Sequence, residues 1–199
     1  MNWNVPNILT VLRIALIPVF VGIFYLPHNL YALGMHPTHT LNVMAASVFA
    51  LASFTDWLDG FWARKFNQTS SFGAFLDPVA DKLMVAAALI VLVEFSRVGA
   101  VVSLIIIGRE IAISALREWM AGLGKSSNVG VAMIGKIKTA AQMLAIFLLL
   151  YWDDVGGFNT KLIGHVLIVL AAFLTFLSMA YYLKAAWPVI KKSINSERK

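Results

Sequence analysis

Six apolar runs divide the chain, at about 8–26, 41–63, 76–95, 99–116, 131–151 and 162–183. Each is close to the roughly 20 residues that an α-helix needs to cross the hydrocarbon of a bilayer. The polar connections between them are short: LPHNLYALGMHPTH, FNQTSS and DDVGGFN, with REWMAGLGKSSNVG the longest. A water-soluble domain of 199 residues has too much surface to cover with a charged fraction of 13%, and 60% of this chain is hydrophobic. The pattern predicts an all-α integral membrane bundle of six transmembrane helices. No internal repeat or separate soluble domain interrupts residues 1–199, so one catalytic or transport unit is expected. No charged leader precedes the first run, and its first basic residue, Arg13, already lies inside it. That run is therefore expected to be a membrane helix and not a cleaved signal peptide. Pro6 suits a first helical turn, and Pro18 is expected to kink the first span.

Charge sets the expected orientation. With the N-terminus inside, the outer connections hold only Arg97 and Lys161, and fourteen of the sixteen basic residues fall on the inner side. The positive-inside rule selects that arrangement, which places both termini in the cytoplasm. The net charge of +6 thus reads as topology and attraction for anionic ligands, with no patch or motif for nucleic acid. The absence of cysteine excludes disulfides, thiolate catalysis and cysteine-bound metals.

Against this background the stretch DWLDGFWARKFNQTSSFGAFLDPVADK is an electrostatic anomaly, because it holds four of the ten acidic residues. Asp56 and Asp59 are spaced i, i+3 near the inner end of the second run; Asp77 and Asp81 are spaced i, i+4 at the start of the third. Each pair shares a helix face, and the short connection makes the two helices antiparallel neighbours whose acidic faces can meet. At about 1.5 Å of rise per residue, Asp56 lies well below Lys65 and hence below the membrane surface. A carboxylate at the centre of a membrane helix costs roughly 2.5–3.5 kcal/mol, and four facing one another also repel. Lys82 and Arg64 can offset part of that charge. A pair of hard divalent cations, Mg²⁺ or Mn²⁺, satisfies it better, and two such ions held by carboxylates serve phosphoryl transfer. Gly60, Ala63 and Gly73 keep the acidic faces open to something bulky, although small residues also serve close helix packing.

The spacing D56-x2-D59-G60-x2-A63-R64-x8-G73-x3-D77-x3-D81 resembles, without a gap, the signature of the CDP-alcohol phosphotransferase family. The flanking segments PNILTVLRI, DPVADKLM, GREIAISALRE and GKIKT resemble its bacterial branch that makes phosphatidylglycerophosphate. The resemblance implies that family's six-helix fold, a homodimer, and a site with two divalent cations near the cytosolic face of a bacterial inner membrane. It implies Asp56, Asp59 and Asp77 as metal ligands. Asp81 becomes the general base, also bordering the second metal. Gly60, Ala63, Arg64 and Gly73, with Asp56 and Asp59, would hold the CDP-linked donor. The implied reaction joins CDP-diacylglycerol, a lipid partner, to sn-glycerol 3-phosphate and releases CMP.

The acceptor's phosphate needs basic partners of its own. Arg109, inside the fourth run where a bare guanidinium is costly, is the first candidate. An ion pair with Glu110 is set aside because neighbours on a helix point in different directions. Arg117, on roughly the same face, and Lys136 and Lys138 at the start of the fifth run complete the set; topology anchoring explains these three equally well. The sequon NQT at 67–69 falls in an expected inner connection and is assigned no modification. His28, His36, His39 and His165 lack metal-ligand spacing, Trp57 and Trp62 read as packing or interfacial residues, and the tail from Lys184 reads as an inner anchor. Two other readings compete: the same donor with inositol phosphate, serine or phosphatidylglycerol as acceptor, and a small cation transporter. The second requires an acidic path to the outer face, where only Glu94, Asp153 and Asp154 lie.

Overall fold

A computed structural model describes residues 5–25, 37–66, 71–122 and 132–197. Among them the chain forms six helices: α1 (Val5–Phe24), α2 (Pro37–Phe66), α3 (Ser71–Glu94), α4 (Ala100–Gly122), α5 (Ala132–Tyr151) and α6 (Thr160–Glu197). No β-sheet occurs among the described residues. The one β-bridge pairs Val155 with Phe158 around Gly156 and Gly157, whose φ angles of +57° and +85° allow a tight two-residue turn. α1 packs on α2 and α3, α2 on α5, α3 on α4, and α6 on both α4 and α5. Gly164 is what lets α6 approach α5 so closely: a Cβ there would stand 2.8 Å from Cγ of Leu149.

Many large apolar side chains face outward, while several polar and charged ones lie in the interior. Val101 and Leu104 of α4 and Leu162, Val166, Val169, Phe173 and Phe176 of α6 are all exposed. Arg13, Arg109, Lys138, Gln142, Thr175 and Ser178 are buried. Such a surface suits hydrocarbon, not water. Thr160–Ala180 of α6 is long and apolar enough to cross a membrane, and Ile8–Phe24 and Ile137–Tyr151 are shorter apolar stretches. Of the six full spans expected from composition, one meets that length among the described residues. The reason is physical: Arg13, Asp56, Asp81, Arg109 and Lys138 fall inside the other helices and shorten their apolar runs. The helices also outrun the apolar runs. α6 continues to Glu197, so the basic tail is helical for most of its length.

Buried positions on each helix recur at steps of three and four residues, the spacing of one helical face. The stripe reads Thr10, Arg13, Phe20 on α1; Ala45, Phe49, Ala52 on α2, continuing to the half-exposed Asp56; and Met84, Ala88, Leu92 on α3, preceded by the half-exposed Asp81. On α5 it reads Lys138, Gln142, Ala145, Leu149, and on α6 Ile168, Ala171, Thr175, Ser178. Because neighbouring helices run in opposite directions, the apolar parts of these stripes meet at one end of the bundle. The polar parts meet at the other.

Arg97, in the turn after α3, closes the apolar end. It donates to the carbonyl oxygens of Leu149 (3.2 Å) and Leu150 (3.0 Å) at the end of α5 and to Oδ1 of Asn42 (2.6 Å) on α2. Its guanidinium also lies 4.8 Å from the Trp152 ring centroid. Burial pulls the Arg97 guanidinium below the usual arginine range, and the Asp153 carboxylate pushes it partly back. Two helix-end carbonyls that lack intrahelical donors thus gain a charged one. Arg97→Met removes this donor from three acceptors. It should lower stability by about 1.5–3 kcal/mol, read as a reduced Tm in detergent. Arg97→Lys should recover only part, because one ammonium cannot span the fork.

Candidate active site

At the polar end, α1, α2 and α3 bring three charged side chains into contact. Nη1 of Arg13 lies 2.8 Å from Oδ1 of Asp56 and 2.6 Å from Oδ1 of Asp81. The guanidinium is 1% exposed, whereas the two aspartates are 43% and 46% exposed. Arg13 therefore sits beneath the carboxylates, and they present themselves to a cavity of about 160 Å³. The cavity is lined by Arg13; by Ala52, Ser53 and Asp56 of α2; by Asp81, Lys82, Met84 and Val85 of α3; by Glu110 of α4; and by Thr139, Gln142 and Met143 of α5. The volume resembles that of a cavity which accepts benzene, roughly 150 Å³. A small polar head group fits it; two acyl chains do not.

The expected convergence of the acidic faces of α2 and α3 is thus seen for Asp56 and Asp81. The side chains of Asp59, Gly60, Ala63, Arg64, Gly73, Asp77, Arg117 and Lys136 lie outside the described residues, as do those of Trp57 and Trp62, and residues 67–69. Among the described residues no group of three or more acidic or histidine side chains gathers. The donors present nonetheless suit a divalent cation of the hard class: two carboxylates from different helices already converge on one cationic nitrogen and are half open to the cavity.

A second charged group joins α4, α5 and α6. Oε1 of Glu110 accepts from Nζ of Lys138 (2.7 Å) and Nη1 of Arg109 (3.0 Å), while Nη2 of Arg109 reaches Oγ of Ser178 (3.3 Å). The structure therefore pairs Arg109 with Glu110 despite their adjacency. Both side chains are long enough to curve toward one point, and Lys138 supplies a second cation at the same carboxylate. Glu110 lines the cavity; Arg109 and Lys138 are buried behind it and are not among the lining residues.

Sequence reasoning assigned no site role to Arg13, Glu110, Thr139 or Gln142. For Arg13 a signal existed, since an ionisable residue inside an apolar helix is a functional candidate by default. For Gln142 the signal was weaker: a long amide at the i+4 position from Lys138, just before the wholly apolar end of α5.

The CDP-alcohol phosphatidyltransferase family matches residues 3–179. The chain belongs to that family. It is 48% identical over 199 residues to a Pseudomonas fluorescens protein named CDP-diacylglycerol–glycerol-3-phosphate 3-phosphatidyltransferase, covering 98% of this chain and 96% of that one. A protein of the same name from Pectobacterium atrosepticum is 48% identical, covering 94% and 96%. A third, from Wigglesworthia glossinidia brevipalpis, is 45% identical, covering 94% and 97%. Membership makes the chain a membrane-associated α-helical enzyme, a transferase of phospholipid biosynthesis. The cavity with Arg13, Asp56 and Asp81 is accordingly a candidate active site of this family.

Arg13 touches both described aspartates, so its removal should be felt at the site. Arg13→Met leaves two carboxylates facing each other without their cation, and phosphatidyl transfer should fall at least tenfold. Arg13→Lys keeps a charge but not the planar fork and should restore only part of the rate. Titration of bound Mn²⁺ by electron paramagnetic resonance should show a changed affinity in both variants.

Proposed function

We propose that this chain transfers the phosphatidyl group of CDP-diacylglycerol to sn-glycerol 3-phosphate, giving phosphatidylglycerophosphate and CMP. The observation that carries the chemistry is the meeting of Asp56 and Asp81 over a buried cation at the edge of a cavity. The choice of acceptor is supported by the names of relatives that match along nearly the whole chain.

In this reading a primary hydroxyl of the acceptor attacks the phosphorus that bears diacylglycerol, the bond from that phosphorus to the CMP oxygen breaks, and CMP departs. The hydroxyl is a weak nucleophile at neutral pH, and the Asp81 carboxylate takes its proton. Arg13 holds Asp81 and Asp56 in register from below. Asp56, Asp59 and Asp77, with Asp81 at the border, would hold two divalent cations, Mg²⁺ or Mn²⁺. These ions would supply charge neutralisation for the phosphoryl group and the leaving nucleotide. Gly60, Ala63, Arg64 and Gly73 would accommodate the CDP moiety. Arg109, Arg117, Lys136 and Lys138 remain the proposed partners of the acceptor's phosphate. For Arg109 and Lys138 this role requires that Glu110 share them with the ligand, since both already touch its carboxylate.

The bundle is proposed to span a bacterial inner membrane six times, as one unit of residues 1–199 that pairs into a homodimer, with both termini cytoplasmic. Its orientation is supported by Arg97 and Lys161, the only two basic residues of the expected outer connections, which meet at Trp152 at the end of the bundle opposite Arg13. The site then opens toward the cytosol, where a water-soluble acceptor arrives, while the donor's acyl chains stay in lipid.

Asp81→Asn should lower CMP release by roughly 10²–10⁴-fold in purified protein that remains helical and folded. Chelation of divalent cations should abolish the parent activity, with recovery on adding Mg²⁺ or Mn²⁺. In an acceptor panel with CDP-diacylglycerol, glycerol 3-phosphate should support turnover. Turnover with serine or inositol phosphate and none with glycerol 3-phosphate would overturn the acceptor assignment.

A further inference from the structure

One group at the cavity is used by nothing described so far. Gln142 is 3% exposed, lines the cavity, and its carbonyl oxygen is covered and has no hydrogen-bond partner among the described residues. A buried carbonyl without a donor is rare in native proteins and calls for an explanation, of which a missing ligand is one. The surroundings narrow what that ligand group is. One turn earlier on α5, Lys138 gives its ammonium to Glu110. Beyond Gln142 the same face becomes Ala145, Ile146 and Leu149, all fully buried and apolar. Gln142 is thus the last polar group on the α5 face that lines the cavity.

The charged side chains of the lining, Arg13, Asp56, Asp81, Lys82 and Glu110, are there for charged ligand groups, which leaves the neutral amide for a neutral one. A neutral hydroxyl suits it. The terminal torsion of glutamine is soft, so a half-turn presents either the oxygen or the nitrogen, and a hydroxyl both donates and accepts. We infer that Gln142 is a specificity-determining residue that hydrogen-bonds the acceptor's secondary hydroxyl, the one next to the attacking oxygen. This rests on the proposed reaction and deepens it: the phosphate is recognised by cations, the polyol by an amide.

The test pairs two acceptors with parent, Gln142→Met and Gln142→Leu. The acceptors are sn-glycerol 3-phosphate and 3-hydroxypropyl phosphate, which keeps the phosphate and primary hydroxyl but lacks the secondary one. The analogue is measured both as a substrate and as a competitive inhibitor. The parent should favour glycerol 3-phosphate. Each variant should lose roughly 10- to 100-fold in kcat/KM for glycerol 3-phosphate, little for the analogue, and nothing in KM for CDP-diacylglycerol. An equal loss with both acceptors, or unchanged discrimination, overturns the inference. A variant that does not fold is identified by its thermal melt, and the second apolar variant then decides. Failure of the parent itself to use glycerol 3-phosphate counts against the proposed reaction and is distinguishable, because it appears without any substitution.

Discussion

A guanidinium that is almost wholly buried must be paired or it unfolds the region around it, and this requirement shapes the polar end of the bundle. Arg13 meets it with carboxylates from two other helices, so one side chain of α1 fixes the relative position of α2 and α3. The pairing works in both directions. Asp56 and Asp81 would repel one another if they faced the cavity alone, and the cation beneath them offsets that repulsion at close range. Their outer halves remain open to the cavity while their inner contacts are fixed. A site that must grip charged ligands needs such a preorganised base, since reorganising it during the reaction would be costly.

The same economy of charge governs the second cluster. Arg109 and Lys138 are two cations in the interior of α4 and α5, and Glu110 compensates them with a single carboxylate. Glu110 is the member of this cluster that lines the cavity, with the two cations behind it, whereas in the first cluster Arg13 lies beneath Asp56 and Asp81. The apolar half of the bundle, with Phe20, Phe49, Leu92 and Leu149 at its centre, supplies the packing that keeps these charged helices together.

Much of the architecture was legible from the chain. Apolar runs placed all six described helices, and their boundaries differ mainly where helices continue past the apolar runs into basic segments, as α6 does. The positions of Asp56 and Asp81 on meeting faces followed from spacing and a short connection. Their partner did not. Arg13 lies 68 residues before Asp81, and nothing local in α1 announces which helices it will face. The pairing of Arg109 with Glu110 was misjudged for a related reason: neighbouring Cβ atoms diverge, but long side chains converge when a third helix presents Lys138.

By itself, then, the sequence determined the helices, the faces on which charge is carried and the end of each helix where that charge sits. These depend on local periodicity and on the high cost of placing charge among apolar side chains. The tertiary structure alone decided which charges neutralise one another, and that Glu110 and Gln142 line the cavity while Arg109 and Lys138 lie behind. Those outcomes depend on how non-adjacent helices rotate and approach, a matter of packing between distant segments that no single helical repeat encodes.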